Sequence, residues 1–182
     1  VSSLALKIPT DERCIEGVNY LTADLASIDE IEGCLSGRMF DFVVNLGGYV
    51  NHAAYRSGGR AVIDAHFLGL QNLLQALEWD GLKTFVQIGS SDEYGNQPAP
   101  QSEGMREQPI SSYSMAKVAA NHLLQMLNRT EGFPAVLLRF FLVYGPGQDR
   151  QRFLPQIIRG CLMNEAFPTS KGGQLRDFCY VD

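Results

Sequence analysis

The feature that most constrains the fold of this chain is a regular alternation of short apolar runs with stretches of helical periodicity. The run 42–46 (FVVNL) is almost continuously apolar, which is typical of a parallel strand covered on both faces. The segment 61–77 follows it with apolar residues spaced about 3.6 residues apart, and another apolar run, 84–88 (TFVQI), comes next. This alternation predicts a doubly wound α/β fold, a parallel sheet with helices on both faces.

The same reading predicts the remaining elements. Strands are expected at 1–6, 18–23, 42–46, 84–88, 135–141 and 178–181, and helices at 27–35 (with Ser27 as N-cap), 61–77, 113–127 and 154–163. No internal repeat or linker divides the 182 residues. We interpret 1–182 as an incomplete Rossmann-like nucleotide-binding domain, with the start of a substrate-binding part near 150–182.

A dinucleotide-binding fold usually opens with a strand and a G-x-G-x-x-G turn that carries the pyrophosphate at a helix N-terminus. That turn does not occur in this sequence, where Gly47-Gly48, Gly58-Gly59 and Gly172-Gly173 are isolated pairs with other spacings. The sequence also begins inside a predicted strand and ends at Tyr180-Val181-Asp182, so we expect the chain to be truncated at both ends.

Composition excludes several classes of function. The formal net charge is −5 and the pI is near 5.2, whereas a nucleic-acid surface needs a basic excess. No apolar run is long enough to cross a bilayer, and the first residues lack the order of a signal peptide. The four cysteines form no C-x-x-C pair, which indicates neither a zinc site nor a disulfide framework. We expect a cytoplasmic protein that binds no metal, nucleic acid or membrane.

Tyr113 and Lys117 are the first candidates for chemistry. Four residues apart on a predicted helix, they share one face. The ammonium would lower the pKa of the phenol, which could then move a proton on a substrate hydroxyl. Taken alone, the spacing is more typical of a surface helix with an ordinary cation.

The segment 89–95 (GSSDEYG) follows the predicted strand 84–88. Ligands of open α/β sheets bind at the C-terminal ends of strands, where serine hydroxyls can hydrogen-bond a reacting carbonyl oxygen. The alternative is a polar loop with a serine cap and a turn glycine.

Six motifs occur in an order that resembles the extended short-chain dehydrogenase/reductases, in their NAD-dependent epimerase/dehydratase branch. They are DL at 24–25, NLGG at 45–48, GSSDEYG at 89–95, YSMAK at 113–117, RFFLVYGPG at 139–147 and RDFCYVD at 176–182. The likeness covers essentially the whole chain.

The resemblance implies catalytic roles for four residues. Tyr113 would be the acid/base, and Lys117 would lower the pKa of Tyr113 and hold the nicotinamide ribose. Ser90 or Ser91 would hydrogen-bond the sugar oxygen. Alignment back from Tyr94 favours Ser90, and alignment forward favours Ser91.

The resemblance also implies binding residues. Asp24 and Leu25 would contact the adenine, while Leu46, Gly47 and Gly48 would line the cofactor, NAD or NADP. For Asp24 the alternative is a helix-capping carboxylate, and for the glycine pair it is a tight turn.

Arg176 would reach a phosphate of a sugar nucleotide, and its alternative is a salt bridge to Asp177. A single basic residue, Lys7, mildly favours NADP.

Several positions depart from the family pattern. Leu142 stands where many relatives have Asn before Val-Tyr-Gly-Pro, and His66 stands where relatives often have Asn on the helix after the cofactor loop. Asp92 and Glu93 adjoin Tyr94 directly, one residue short of the dehydratase pattern, and the motif looks closer to the family's 4-keto-sugar reductases. Glu93, as a substrate contact, and Asp92 could serve an elimination, which needs an extra acid and base; the alternative is an exposed acidic turn.

The expected function is therefore a nicotinamide-dependent sugar-nucleotide epimerase or 4-keto-sugar reductase that acts as a homodimer on a sugar-nucleotide substrate. The alternatives are a nucleoside-diphosphate-hexose 4,6-dehydratase and a non-catalytic nucleotide-binding module of the same fold. We expect the 182-residue chain alone to be inactive.

Overall fold

The computed structural model describes residues 1–173 and 175–182, which divide into two compact units, Val1–Arg139 and Phe140–Asp182. The strands are β1 (Ser2–Ala5), β2 (Asn19–Thr22), β3 (Phe42–Asn45), β4 (Thr84–Ser90), β5 (Ala135–Phe140), β6 (Leu142–Tyr144) and β7 (Phe178–Tyr180). The helices are α1 (Ile28–Leu35), α2 (Gly59–Ile63), α3 (Gly69–Ala76), α4 (Ser112–Glu131) and α5 (Phe153–Met163).

The strands of the first unit form two hydrogen-bonded groups. β1 pairs in parallel with β2, and β3 pairs in parallel with β4, which lies between β3 and β5. In the usual doubly wound order, 3-2-1-4-5-6, the strand before the Gly-rich turn lies between the second and the fourth strands. This sequence contains no such turn, and β1 and β3 belong to separate hydrogen-bonded groups among the described residues.

The helix predicted at 61–77 is interrupted. α2 and α3 are joined by a π-helical turn, Asp64–Leu68, in which the backbone hydrogen bonds span five residues rather than four. A period of 3.6 residues does not predict such a turn, because one inserted residue leaves the apolar spacing on either side almost unchanged.

Local capping sets the ends of α4. Ser111 accepts a hydrogen bond from the backbone N–H of Ser114 at 3.0 Å, and Gly132 ends the helix in the left-handed conformation. The helix therefore begins one residue before the predicted range and extends four residues beyond it. Ser27 does occupy the N-cap position of α1, but its side chain makes no capping hydrogen bond.

One hydrophobic core lies in the first unit. Along β4 the burial alternates, so that Phe85, Gln87 and Gly89 face inward. Phe85 packs on Phe133 with 5.4 Å between the ring centroids, and the core is completed by apolar residues of the helices, among them Ile31, Leu70 and Leu124. Parallel strands covered by amphipathic helices confirm the predicted α/β class.

The second unit contains a short sheet that the sequence analysis missed in part. β6 pairs in parallel with β7, and α5 ends at Asn164 in the left-handed conformation. The sequence predicts β7 and α5 but no separate strand at β6, because the apolar run continues from β5 without a turn residue. Within the described residues, no helix is both long and apolar enough to cross a membrane.

Candidate active site

α4 places Tyr113 and Lys117 on its buried face. Their side chains are 7% and 4% exposed, so the interpretation as a surface helix with an ordinary cation is wrong. The Lys117 ammonium lies 5.8 Å from the centroid of the Tyr113 ring, and it donates a hydrogen bond of 2.7 Å to the carbonyl of Ile88. Because Ile88 lies near the C-terminal end of β4, this bond fixes the Tyr-Lys face of α4 against the strand that leads to the serines.

Burial lowers the pKa of Lys117 to about 8, although the negative charge of Glu93 acts in the opposite direction. An ammonium removed from water loses hydration that the charged form needs. Lys117 therefore titrates close to physiological pH and sits beside the phenol that its charge would stabilise as phenolate.

β4 leads directly into a 3₁₀ turn, Ser91–Tyr94, that Ser90 caps. The Ser90 hydroxyl oxygen accepts from the Asp92 N–H at 3.2 Å, and the Ser90 N–H donates to Glu93 Oε1 at 2.8 Å. The serine-cap interpretation is thus correct for Ser90. It leaves the hydroxyl proton available, because the oxygen acts there as an acceptor.

Glu93 has no exposed surface. Its other oxygen, Oε2, accepts from Asn121 Nδ2 at 2.6 Å and from Arg139 Nε at 2.9 Å. The exposed-turn interpretation is therefore wrong for Glu93. Both carboxylate oxygens are already bonded, so a contact of Glu93 with substrate stays a prediction that these contacts do not favour.

Asp92 lies on the open side of the same turn. One of its carboxylate oxygens is 3.8 Å from His52 Nε2, and both side chains are about half exposed. The exposed-turn interpretation fits Asp92.

Arg139, on β5, holds two acidic groups together. Besides Glu93 it binds Glu107, and its guanidinium lies 4.9 Å from the centroid of the Tyr94 ring. Burial alone would lower the pKa of Arg139, but the hydrogen bond with Tyr94, the charge of Glu93 and the hydrogen bonds with Glu107 and Glu93 raise it well above its usual range. Arg139 therefore stays charged.

Of the residues predicted to bind the cofactor, Leu25 and Gly47 lie in contact. A Cβ built on Gly47 would lie 2.4 Å from Leu25 Cδ1, so Leu25 fits against Gly47 only because that residue has no side chain. The Gly47 N–H donates to Asn45 Oδ1 at 3.0 Å, and Gly48 has a φ of 105°, in the region that favours glycine. The tight-turn interpretation is correct, and it is compatible with a backbone that a cofactor approaches closely.

Asp24 and Leu46, two further residues predicted to bind the cofactor, are both exposed. Asp24 is exposed and accepts from the Ala26 N–H at 2.9 Å, so it orders the turn before α1. Leu46 is 71% exposed. Roles of these residues in cofactor binding stay predictions.

Two histidines, His52 and His66, meet at Tyr113. The ring centroids of His66 and His52 lie 5.2 Å and 5.7 Å from that of Tyr113, and both pairs are edge-to-face. Sequence reasoning missed them because they lie 47 and 61 residues from Tyr113. The one available signal was the unusual His66 at a position where relatives often have Asn. Within the described residues, no group of three metal-ligating side chains occurs.

The remaining two predicted residues belong to the second unit. Leu142 is 42% exposed on β6. Arg176 is exposed and donates to the Leu175 carbonyl at 3.2 Å. No ion pair of Arg176 occurs among the described residues, so the alternative of a salt bridge to Asp177 is not realised.

Comparison with known proteins decides the family. A model of the NAD dependent epimerase/dehydratase family matches residues 5–182. The chain belongs to this family. The resemblance to the epimerase/dehydratase branch of the extended short-chain dehydrogenase/reductases is thereby confirmed.

Three relatives show what the chain is similar to. It is 31% identical to the uncharacterized UDP-glucose epimerase YtcB of Bacillus subtilis, over 90% of this chain and 50% of that protein. It is 28% identical to a dTDP-glucose 4,6-dehydratase of Escherichia coli, over 92% of this chain and 52% of that protein. The solved structure of MoeE5 in complex with UDP-glucose and NAD superposes with a TM-score of 0.79 at 26% identity, over 99% of this chain and 59% of that one. The chain thus spans about half the length of the curated relatives that it matches.

Proposed function

We propose that the whole protein is a nicotinamide-dependent sugar-nucleotide epimerase or 4-keto-sugar reductase. The observation that carries the proposal is the buried Tyr113–Lys117 pair, anchored to the end of β4 immediately before Ser90 and Ser91. Family membership supports it, as do relatives whose names specify a sugar-nucleotide substrate.

In the proposed mechanism, Tyr113 takes the proton from a sugar hydroxyl when the sugar is oxidised and gives a proton to the carbonyl oxygen when a ketone is reduced. The charge of Lys117 stabilises the phenolate, and a serine hydroxyl donates a hydrogen bond to the reacting oxygen. When bound, NAD or NADP supplies the hydride acceptor or donor. Asp24, Leu25, Leu46, Gly47 and Gly48 would hold the cofactor, and the absence of side chains at the glycine pair fits a close approach of the backbone.

Two further parts of the proposal concern the substrate and the assembly. Arg176 would bind a phosphate of the sugar nucleotide, and Leu142 would line the pocket without a hydrogen bond at a position where many relatives have Asn. The protein would act in the cytoplasm as a homodimer, and light scattering on the whole protein tests the dimer directly.

Epimerisation or ketone reduction is preferred to 4,6-dehydration because of Glu93. Proton abstraction at C5 of a hexose needs a base within about 3 Å of it, or one bridging water. Glu93 is fully buried, and both of its carboxylate oxygens are bonded to protein groups. Serving as that base would require breaking an ion pair with Arg139.

The first test is Tyr113→Phe in the whole protein. Turnover is expected to fall by at least ~10²-fold, the usual scale of a lost general acid/base, with little change in cofactor affinity. Tyr20→Phe is the matched control, because Tyr20 lies on β2 and its hydroxyl only accepts from the Ile15 N–H. Turnover of Tyr113→Phe near that of Tyr20→Phe would remove Tyr113 from the mechanism.

The reaction type is tested with a panel of nucleoside-diphosphate hexoses and their 4-keto forms, incubated with the whole protein and NAD or NADP. Epimers or reduced sugars are the expected products. Accumulation of a 4-keto-6-deoxy sugar from an unmodified hexose would establish the dehydratase alternative, and Asp92, exposed beside His52, would then be the first base to replace.

A further inference from the structure

His66 lies in the π-helical turn between α2 and α3, and only 5% of its surface is exposed. π-helical turns inside α-helices are rare and occur often at functional sites. This one carries its buried imidazole toward two parts of the candidate site, the turn after β3 and the ring of Tyr113.

The first contact is with the backbone of Tyr49. His66 Nε2 lies 2.9 Å from the Tyr49 carbonyl oxygen and 3.2 Å from the Tyr49 nitrogen. A neutral imidazole nitrogen either donates or accepts, so its tautomer selects one of these bonds. In either tautomer the ring is tied to the residue that follows the Gly47–Gly48 pair.

The second contact is with Gly48. A Cβ built on that residue would lie 2.1 Å from His66 Cε1. The imidazole therefore occupies the space that a side chain at position 48 would need. Gly48 and His66 form a matched pair: the imidazole fits at its position because residue 48 in the turn has no side chain.

The third contact is with Tyr113. The two rings meet edge-to-face, with 5.2 Å between their centroids and an interplanar angle of 78°. The same imidazole thus contacts the phenol and the turn that is proposed to line the cofactor.

We propose that His66 is a positioning residue, which holds the Tyr113 phenol and the Gly48–Tyr49 turn in a fixed relation so that acid/base and cofactor keep their alignment. This inference rests on the proposed role of Tyr113. His66 acts as the neutral imidazole: burial lowers its pKa, and the charge of Lys117 lowers it further, against the opposing effect of the Tyr49 backbone bond.

The experiment compares His66→Leu, which fills the site without a hydrogen bond, with His66→Gln, which keeps a polar group able to reach Tyr49. In the whole protein, His66→Leu should lower kcat by at least ~10-fold, because small misplacements of a reacting group are costly. The KM for the sugar nucleotide should change by less than about 3-fold. His66→Gln should recover most of the lost kcat. His122→Gln, which replaces an exposed imidazole of α4 that lies 3.4 Å from Glu107 with another polar side chain, is the control and should match the wild type.

A merely structural role predicts a different pattern. His66→Leu would then lower the thermal midpoint or the fraction of active enzyme, while kcat per titrated active site stayed at the wild-type value, and that result overturns the inference. If Tyr113→Phe also leaves turnover unchanged, the proposed function fails first. If Tyr113→Phe abolishes turnover and His66→Leu does not change kcat, only the positioning role fails.

A double-mutant cycle provides a second, independent measurement. Gly48→Ala places a methyl group in the space of the imidazole, so it should lower kcat more in the wild type than in a His66→Ala background. The strain from the positive φ at position 48 is present in both backgrounds and cancels in the cycle. Equal effects of Gly48→Ala in the two backgrounds would contradict the matched pair and with it the inference.

Discussion

The burial of Lys117 disfavours the charged form of its side chain. Its ammonium is almost fully buried, with the Ile88 carbonyl as its hydrogen-bond acceptor and Glu93 as the charge that favours ionisation. At the scale of single residues, the chain thus keeps a cation next to Tyr113 at a cost in folding free energy. The proposed role of Lys117 would account for this cost, because a neutral residue there could not stabilise a phenolate.

Because the pKa of Lys117 is lowered in the folded protein, the free energy of unfolding depends on pH. The pKa of Lys117 falls from 10.5 to about 8 on folding, so between these values the unfolded state binds more protons than the folded state. Stability from this group is therefore present above the unfolded pKa and is lost as the pH falls through about 8. We expect the free energy of unfolding of the wild type, relative to Lys117→Met, to rise by up to about 3 kcal/mol between about pH 7 and pH 10, since each pKa unit corresponds to about 1.4 kcal/mol.

Urea denaturation of both proteins across that range measures the difference. Lys7→Met, which removes an exposed lysine, is the control and should show no such trend. A constant difference between the wild type and Lys117→Met at all pH values would show that Lys117 is not desolvated as described.

The sequence predicts the Tyr113–Lys117 pair because four residues of spacing on a helix determine a shared face. It does not predict the state of Glu93. A carboxylate two residues after a serine pair is typical of an exposed turn, and only the tertiary arrangement brings Asn121 and Arg139 to it. The same limit applies to His52 and His66, whose meeting at Tyr113 depends on how α2, α4 and the turn after β3 pack.

At the scale of elements, β4, α4 and β5 are connected by a network of hydrogen bonds and ion pairs around Glu93. Glu93 in the 3₁₀ turn after β4 binds Asn121 of α4 and Arg139 of β5, and Arg139 also binds Glu107 in the segment before α4. The ion pair lies where these elements converge, so it fixes the turn that carries Ser90 and Ser91.

Removing the cation from this network should be costly. Arg139→Met leaves Glu93 buried without its charge partner, and breaking a buried pair from one side typically costs about 3–5 kcal/mol. We expect a loss of stability of roughly that size, measured by urea denaturation at neutral pH. Arg129→Met, at an exposed position in the last turn of α4, should change stability by less than about 0.5 kcal/mol. A loss for Arg139→Met no larger than for Arg129→Met would contradict a stabilising network.

Most elements could be predicted from periodicity, since the strands β1 to β5 and the helices α1, α4 and α5 follow apolar spacing. Two features could not. The π-helical turn inserts a residue without disturbing the apolar pattern, and β6 continues an apolar run whose division depends on pairing with β7, more than thirty residues later.

At the scale of the whole molecule, the first unit holds most of the candidate catalytic and cofactor-contacting residues but no phosphate-binding turn. The family match covers 5–182, whereas the chain spans only about half of the relatives' length. Contacts to adenine and to the nicotinamide ribose are proposed within this chain, while the Gly-rich turn on which the pyrophosphate normally rests does not occur in its sequence.

The 182-residue chain alone should therefore bind NAD or NADP weakly or not at all. The pyrophosphate carries the charge of a dinucleotide, and it normally rests on the free backbone N–H groups of a helix N-terminus after a Gly-rich turn. No G-x-G-x-x-G turn precedes any helix of this sequence. Calorimetric titration of the isolated chain, after a circular dichroism melt has shown that it is folded, should give a dissociation constant at least ~100-fold weaker than that of the whole protein, because about 3 kcal/mol of binding energy is lost with the phosphate contacts. Micromolar affinity of the isolated chain would contradict this prediction. The anion would then have to be held by another group of donors in the chain, and the next step would be to locate them by replacing the exposed arginines of the first unit one at a time.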